Sequence, residues 1–589
     1  MSQKNLENYI HALSKLFDGL SMTALQQILE SGRTRNFRTG EVIIKQGELE
    51  KTLYVVLTGR CRAIVELENG TQILGDICAG EPIGEFALFT SEPRSASVYA
   101  LRPTIVLELR EENYFQILSI QPSFAPHLTS ILIRRMRRNN LQKHLETKPK
   151  NIVIINLQAQ NDISAWTDMV IQQFEETSVN FEVFYSDTEN SENQIEFFNK
   201  LDEGDGIKFL VCDDTQLEWS KQCLIYADLV LVASDFYASS DLYPLEKQLG
   251  LYEHSFLNKK VYLLLLHPDN APLPEHTVRW LEHRKLDLHI HFRKNNTSDA
   301  ARFCRIMTNK AVGLVLGGGG AKGYAHIGAL QALMENNIAI DFIGGTSAGA
   351  LMGLMMAYRD FNFKEIRTDA EHLASGKLTS NDYAIPIVSL LSGKKVTGFL
   401  KAFFGKSCLE DFWISSYSIS SNITRSSLSM LAKGPAWKNV LASISIPGVF
   451  PPVVIDNELY VDGGIMDNLP IQSMYNYPIG HIIAISLSSN TVSKLEMNQL
   501  PSSRTIVFDK LLGKKKYKLP SLGSILVDSM TVNSSQRKEL NKANVSLYME
   551  MHLEDVKTLE NVKSEVIIDK GKEQMLQYLC HLKVEDKFW

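Results

Sequence analysis

The period of the apolar positions changes along the chain. Over residues 1–32, Leu13, Leu16, Phe17, Leu20, Leu25 and Ile28 fall at helical spacing, which predicts helices. Residues 37–109 carry short apolar runs at 41–45, 53–57, 61–65 and 104–109, with turn residues at Gly40, Gly47, Gly59 and Asn69-Gly70. That spacing predicts a small β-roll or barrel. Residues 111–146 return to a helical pattern that includes the basic stretch 131–138. From Asn151 the runs become nearly continuous, at 151–155, 181–184, 208–212, 228–232 and 260–266. Uninterrupted apolar strands alternating with helical stretches predict a parallel α/β sheet.

A third block opens at Ala311. Residues 312–316 predict a strand, 317–323 a glycine loop, 325–335 a helix, and 338–343 a second strand ending at Gly344-Gly-Thr-Ser-Ala-Gly349. Residues 350–358 are apolar nearly all round, which predicts a buried helix. Residues 443–454, with Pro447, Pro451 and Pro452, read as a rigid loop leading to a strand at 459–462, and 482–486 as another core strand. After Asn490 the chain turns polar, passes a basic run at 510–518, and becomes helical over 523–589. The expected fold is multidomain. A β-roll with flanking helices spans 1–146 and a central parallel α/β connector spans 150–305. An α/β domain spans 311–589, with its core at 311–487 and a helical C-terminal extension at 523–589.

Composition narrows the partners. A length of 589 residues accommodates three to four domains, and 44% hydrophobic with 22% charged residues is an ordinary globular balance. The net charge of −6 argues against a nucleic-acid partner. Seven scattered cysteines without a C-x-x-C pair form neither a disulfide framework nor a zinc site, which suits a reducing, cytoplasmic compartment. The N-terminus has no apolar signal core, and no window approaches about 18 uninterrupted apolar residues. The expectation is a chain that is soluble or peripheral on a membrane, with homo-oligomerisation left open. His267, His276, His283, His289 and His291 cluster without a zinc-ligand spacing, so no metal is expected.

The chemistry concentrates between Gly317 and Gly349. Four successive glycines ahead of a helix can turn backbone N–H groups outward to hold negative charge. Gly345-x-Ser347-x-Gly349 has the form of a nucleophile elbow, whose sharp strand-to-helix turn exposes the serine Oγ. Nucleophile and oxyanion hole are the two parts that acyl transfer requires. A rival exists: Gly318-x-Gly320-x-x-Gly323 after a strand is also a dinucleotide fingerprint, with Asp341 about twenty residues on as a ribose ligand. The elbow immediately after Asp341 favours the hydrolase, because a dinucleotide site does not need it. The serine requires a base, and Asp462 ends the strand that runs into Gly463-Gly464. A Ser-His-acid triad would draw on His481, His552 or His581, with His326 beside the glycine loop as a further imidazole.

Gly-Gly-Gly-x-Lys-Gly, then Gly-x-Ser-x-Gly, then Asp-Gly-Gly, in this order, resembles the patatin-like phospholipases. That resemblance makes 311–589 a patatin-like α/β hydrolase domain. It implies a Ser347–Asp462 dyad that works without histidine. It also implies an oxyanion hole from the amides around Gly318, Gly319 and Gly320, with Lys322 at the basic position of the loop, and no catalytic cofactor. In the roll, Ile83-Gly84-Glu85 through Arg94-Ser95-Ala96 resembles the phosphate-binding cassette of cyclic-nucleotide-binding domains. It implies cAMP or cGMP as an allosteric ligand, with Gly84 in the turn, Glu85 on the ribose, and Arg94 helped by Ser95 on the cyclic phosphate. Leu263-Leu-Leu-Leu-His267 followed by Thr277-Val-Arg-Trp-Leu281 resembles the connector of neuropathy-target-esterase-type proteins. The resemblance implies a lysophospholipase or phospholipase acting on lipid at a membrane surface under cyclic-nucleotide control. The alternative is a nucleotide-sensing scaffold with an inactive patatin domain. The Phe399–Phe404 region and the Val449–Val454 loop supply apolar surface for an acyl chain, and Lys514–Lys518 a headgroup contact.

Overall fold

The computed structural model describes residues 3–17, 19–67, 70–85, 92–120, 129, 148–158, 170–175, 179–186, 197–198, 201, 206–252, 259–375, 381–487, 499–502, 505, 538–553, 563–583 and 587–588. The expected basic helix at 131–138, the 510–518 run and residues 523–537 of the extension lie outside these residues. The chain divides into two compact units. One comprises 1–267, 280–289 and 294–300; the other comprises 268–279, 290–293 and 301–589.

In the first unit, strand Thr52–Thr58 is covered on both faces. Leu53, Val55 and Leu57 pack against Leu13, Leu16, Phe17, Leu25 and Ile28 of helices Gln3–Leu16 and Met22–Ser31 and the turn between them. Tyr54 and Val56 point the other way, into a second core with Ile43, Ile44, Cys61, Val98 and Val106. The two-residue period of a strand thus divides one segment between two cores. The roll consists of two four-stranded antiparallel sheets. One has the order Arg33–Phe37, Thr104–Arg110, Thr52–Thr58, Pro82–Ile83; the other has the order Val42–Ile44, Ser97–Ala100, Arg60–Leu67, Gly70–Cys78.

A six-stranded sheet follows, in the order Phe181–Phe184, Ile207–Cys212, Asn151–Asn156, Leu229–Asp235, Lys260–His267, Leu288–Arg293. The first five strands pair in parallel, as their continuous apolar runs require. The strand Leu288–Arg293 has no such run, because His289, His291 and Arg293 interrupt it.

The second unit holds a sheet whose centre is parallel: Ser415–Asn422, Phe342–Thr346, Val312–Leu316, His481–Ser486, Leu547–Glu550. Glu458–Asp462 adds antiparallel to Ser415–Asn422. The second strand starts at Phe342 rather than Ile338. Ile338 and Ile340 enter the core from the approach, while the Asp341 amide donates to the Val312 carbonyl at 2.9 Å. The C-terminal helix Ser564–His581 lies along Ala325–Glu335 with glycines at the crossing. A Cβ on Gly328 would sit 1.8 Å from the Ile568 carbonyl oxygen, and one on Gly571 would sit 2.2 Å from that of Ala325.

Candidate active site and nucleotide pocket

Ser347 stands between strand Phe342–Thr346 and helix Ala348–Tyr358 with φ 54° and ψ −123°. A non-glycine residue at positive φ stores strain, and the surroundings hold it there. The Ser347 amide donates to Ser443 Oγ at 3.0 Å, Ser443 Oγ donates to the Ile419 carbonyl at 2.6 Å, and Thr346 Oγ1 donates to the Asp467 carbonyl at 2.9 Å. The flanking glycines bring the elbow against the neighbouring strand: a Cβ on Gly345 would meet the Leu316 carbonyl oxygen at 2.6 Å, and one on Gly349 at 2.2 Å. No larger side chain fits either position.

Sheet register aligns the acid with the serine. Thr346 pairs with Ile419, and Asp462 pairs with Ser420 on the same strand. Ser347 and Asp462 therefore stand at one height with a single strand between them. Asp462 is 1% exposed. Its Oδ1 accepts the Gly464 amide at 2.8 Å, and its Oδ2 has no hydrogen-bond partner among the described residues. Burial pushes the carboxyl up to about 6, against the opposing pull of the Gly464 amide and the Ser347 hydroxyl. The hydroxyl is thus near enough to favour the carboxylate, while no hydrogen bond of ordinary geometry joins the pair. Catalytic contacts in a free site are commonly long and tighten only around substrate. Among the described residues no imidazole hydrogen-bonds to either side chain.

In the glycine loop one of the three amides named from the sequence has a partner within the chain. The Gly318 amide donates to the Asn468 carbonyl at 3.1 Å. The amides of Gly319 and Gly320 make no hydrogen bond to a described residue, and Gly320 has φ +59° at the start of the helical turn Gly320–Tyr324. Asn468 returns a second bond, Nδ2 to the Gly318 carbonyl at 3.2 Å. This two-way clamp was not legible in sequence, since a lone asparagine six positions past Asp462 carries no pattern. A Cβ on Gly318 would lie 2.4 Å from Asn468 Oδ1 and 3.0 Å from Ser347 Cβ, which places the clamp directly beside the serine.

His326 is fully buried, with Nε2 2.8 Å from the Gly317 carbonyl oxygen; burial lowers its pKa to about 4, so the neutral ring donates to that carbonyl. Its role is to hold the loop. His481 stacks on Phe588 at 4.1 Å, His552 is exposed, and His581 Nδ1 lies 2.6 Å from the Gln577 carbonyl oxygen. Asp341, the ribose ligand of the rival reading, is ion-paired with Arg305 at 2.6 Å and accepts the Val312 amide at 2.9 Å. It sits where strand Val312–Leu316 begins, at the opposite end from the glycine loop, so a dinucleotide site is excluded here. Of the clustered histidines, His267 stacks on Phe236 at 4.4 Å and His291 Nε2 lies 3.0 Å from the Glu410 carbonyl oxygen.

In the roll, the buried Arg94 guanidinium donates to the Gly84 carbonyl at 2.8 Å and the Thr52 carbonyl at 2.7 Å, while its Nε has no partner among the described residues. Burial lowers its pKa from the ordinary arginine value. Glu85 is buried and Ser95 is exposed. Residues 86–91, where the expected short helix continues, lie outside the described residues. The roll is tied to the parallel sheet of its unit by a buried cluster. Asp228 pairs with Arg60, lies 3.7 Å from Arg102, and accepts the Lys150 and Asn151 amides at 2.8 and 3.1 Å. Burial alone would raise its carboxyl, but Arg60 and Arg102 overcome this and hold it at about 2.

Comparison with known proteins finds three matched regions. Residues 314–475 match the patatin-like phospholipase family, 34–121 the cyclic nucleotide-binding domain, and 186–313 the neuropathy target esterase family P-loop-like domain. The chain is 27% identical to patatin-like phospholipase domain-containing protein 7 of Rattus norvegicus, over 77% of this chain and 38% of that protein. It is 26% identical to lysophospholipase NTE1 of Candida albicans, over 76% and 39%, and to neuropathy target esterase sws of Drosophila melanogaster, over 77% and 35%. The chain thus spans less than half the length of these relatives. Among solved structures, the Thermus thermophilus catabolite activator protein is 25% identical over 28% of this chain and 73% of that one, with a TM-score of 0.21. The matched domains and relatives support a patatin-like phospholipase of the neuropathy target esterase type with an N-terminal cyclic-nucleotide-binding domain.

Proposed function

Starting from an architecture of the neuropathy-target-esterase type, we propose that this chain is a serine lipid hydrolase that cleaves the carboxylic ester of lysophospholipids or phospholipids with a Ser347–Asp462 dyad. The observation that carries this reading is the buried Asp462 carboxyl. It is pushed up to about 6, its Oδ2 has no hydrogen-bond partner among the described residues, and no imidazole of those residues is bonded to it. A base of that pKa is ionised at neutral pH yet accepts a proton readily. Ser347 Oγ attacks the acyl carbon while its proton passes to Asp462 Oδ2. The charge that develops on the acyl oxygen meets the open amides of Gly319 and Gly320. Asp462 then returns the proton to the departing alcohol, and water repeats the sequence on the acyl-enzyme to release the fatty acid.

Selectivity for a long acyl chain is assigned to Phe399, Phe403 and the apolar residues of the 449–454 loop. Cyclic-nucleotide control is assigned to the Arg94 pocket, where a cyclic phosphate would replace the Gly84 and Thr52 carbonyls as the partner of the guanidinium. The Arg60–Asp228–Arg102 cluster offers a rigid attachment through which the roll acts on the sheet behind it. Action is expected in the cytoplasm at a membrane surface; among the described residues no helix is long and apolar enough to cross a membrane.

The test is labelling by a fluorescent organophosphonate together with hydrolysis of lysophosphatidylcholine. Covalent label on Ser347 and fatty-acid release, both lost in a folded Ser347→Ala variant, are expected. Wild-type turnover in Ser347→Ala overturns the nucleophile. Absence of both label and turnover in the wild type points instead to an inactive domain on a nucleotide-sensing scaffold.

A further inference from the structure

The second unit exposes a compact apolar loop. Tyr383, Ile385, Ile387 and Val388 are 78%, 81%, 85% and 61% exposed. Scattered apolar residues on a surface are ordinary, but a contiguous group of large ones is the mark of an interaction site. The exposure is built rather than incidental, because the stem of the loop is closed by hydrogen bonds. The Ala384 amide donates to the Leu390 carbonyl at 3.0 Å, the Ser392 amide to the Asp382 carbonyl at 2.7 Å, and Ser392 Oγ to Asp382 Oδ1 at 2.5 Å. Leu391 is buried in the main core with Val449 and Phe450. The stem is anchored inside and the tip, with Pro386 at its centre, is held out in water.

The loop is continuous with the catalytic machinery. Ser389 bridges Gly448, and the amides of Leu390 and Leu391 donate to the Gly448 and Val449 carbonyls at 2.8 and 2.9 Å. A few residues earlier, the same strip of chain carries Ser443, which receives the Ser347 amide, and Ser445, whose carbonyl receives the Asp462 amide at 2.9 Å. One short segment therefore touches the serine, the aspartate strand and the exposed loop. Ile465 and Met466, just past Asp462, add exposed apolar surface, and Lys394 and Lys395, just past the loop, are exposed cations.

We propose that the 383–388 tip inserts into the interfacial layer of a phospholipid bilayer and sets the dyad at the membrane surface, with Lys394 and Lys395 against anionic headgroups. The lipid surface is the occupant favoured here because apolar side chains flanked by lysines match the boundary between acyl chains and headgroups. The docked loop also leads directly to the residues that meet the ester. This inference rests on the lipid-hydrolase reading for its purpose, but vesicle binding can be measured without catalysis.

The test compares the full chain with the double variant Ile385→Ser/Ile387→Ser, neither residue being part of the dyad or its supports. Vesicles of phosphatidylcholine with a minor fraction of phosphatidylglycerol serve as the surface, and a dissolved short-chain ester serves as a substrate that needs no surface. We expect vesicle association to fall at least about tenfold, since each side chain loses its transfer into an apolar layer. Hydrolysis of lysophosphatidylcholine held in the vesicles should fall in step, and hydrolysis of the dissolved ester should not change. Vesicle association equal to wild type overturns the proposal. So does sedimentation in which the wild type self-associates, the variant is monomeric and vesicle binding is unaltered, which assigns the loop to a second copy of the chain. Loop-dependent vesicle binding by a wild type that cleaves neither substrate supports the surface and overturns the hydrolase reading alone.

Discussion

The glycine loop and the surroundings of Arg94 are both proposed here to receive negative charge, yet they meet their own polar groups in opposite ways. Around Ser347 the scaffold is tied by Ser443, Asn468, His326 and the Asp467 carbonyl, which hold the elbow and loop from several sides. Among the described residues the groups proposed to touch a reacting ester stay open, namely the Gly319 and Gly320 amides and Asp462 Oδ2. In the roll the charged group itself is taken up internally, with Arg94 donating to two carbonyls of its own chain. A site left open is ready for chemistry without rearrangement. A site closed on itself binds by exchanging partners, and that exchange is what makes a ligand able to shift a conformational equilibrium.

The largest effect that would break this comparison is at Asp462. Asp462→Asn keeps the shape but cannot take a proton, so kcat should fall by roughly 10³-fold or more. In the wild type, kcat/KM should rise with pH through about 6, where the carboxyl ionises, and then level off. Stability should run the other way. The folded carboxyl titrates at about 6 against an ordinary 3.8, so the fold holds this proton more tightly than the unfolded chain does and loses stability as pH rises between those values. Asp462→Asn removes that penalty, worth on the order of 2–3 kcal/mol. The variant should therefore melt higher than wild type at neutral pH and lose the advantage in acid. A variant that is both less stable and fully active would show that Asp462 is a structural acid.

Next in size is Asn468→Ala, which frees the Gly318 loop while leaving serine and aspartate in place. A fall in kcat of roughly 10²-fold, with cooperative unfolding retained, is expected if the loop must be held to keep its amides aimed. His481→Ala is the matched control, since its imidazole stacks on Phe588 away from the elbow; it should leave turnover unchanged. A histidine variant that folds yet is as inactive as Ser347→Ala would restore a triad.

The smallest effect on chemistry sharpens the other side of the comparison. Arg94→Ala should weaken cAMP or cGMP binding by roughly ten- to a hundredfold, the worth of one buried charge-assisted contact. It should remove any nucleotide response without touching basal hydrolysis. Calorimetry on the full chain reads the first part and turnover with and without nucleotide the second. Absence of nucleotide binding in the wild type would make the roll a structural module and leave the hydrolase reading intact.

Local pattern was enough to locate the strand Val312–Leu316, the helix Ala325–Glu335 and the serine turn, because each rests on short-range physics: apolar periodicity, glycine conformation and a strand-to-helix reversal. The same holds for the continuous apolar strands of the parallel sheet, which must be buried on both faces wherever they lie. What the linear chain could not state was which groups would be used up. Gly318 looks identical to Gly319 and Gly320 in sequence, and only the approach of Asn468, 150 positions away, spends its amide. Asp462 could be named from its turn, but its burial, its raised pKa and its height opposite Ser347 come from an antiparallel strand pairing across Ser415–Asn422. Asp341 fitted a ribose ligand by spacing alone, until pairing with Arg305 at the far end of the strand gave it another task. Periodicity and turn chemistry act within a few residues and survive in one dimension. Hydrogen-bond allocation and desolvation depend on neighbours distant in sequence, so tertiary structure alone decides them.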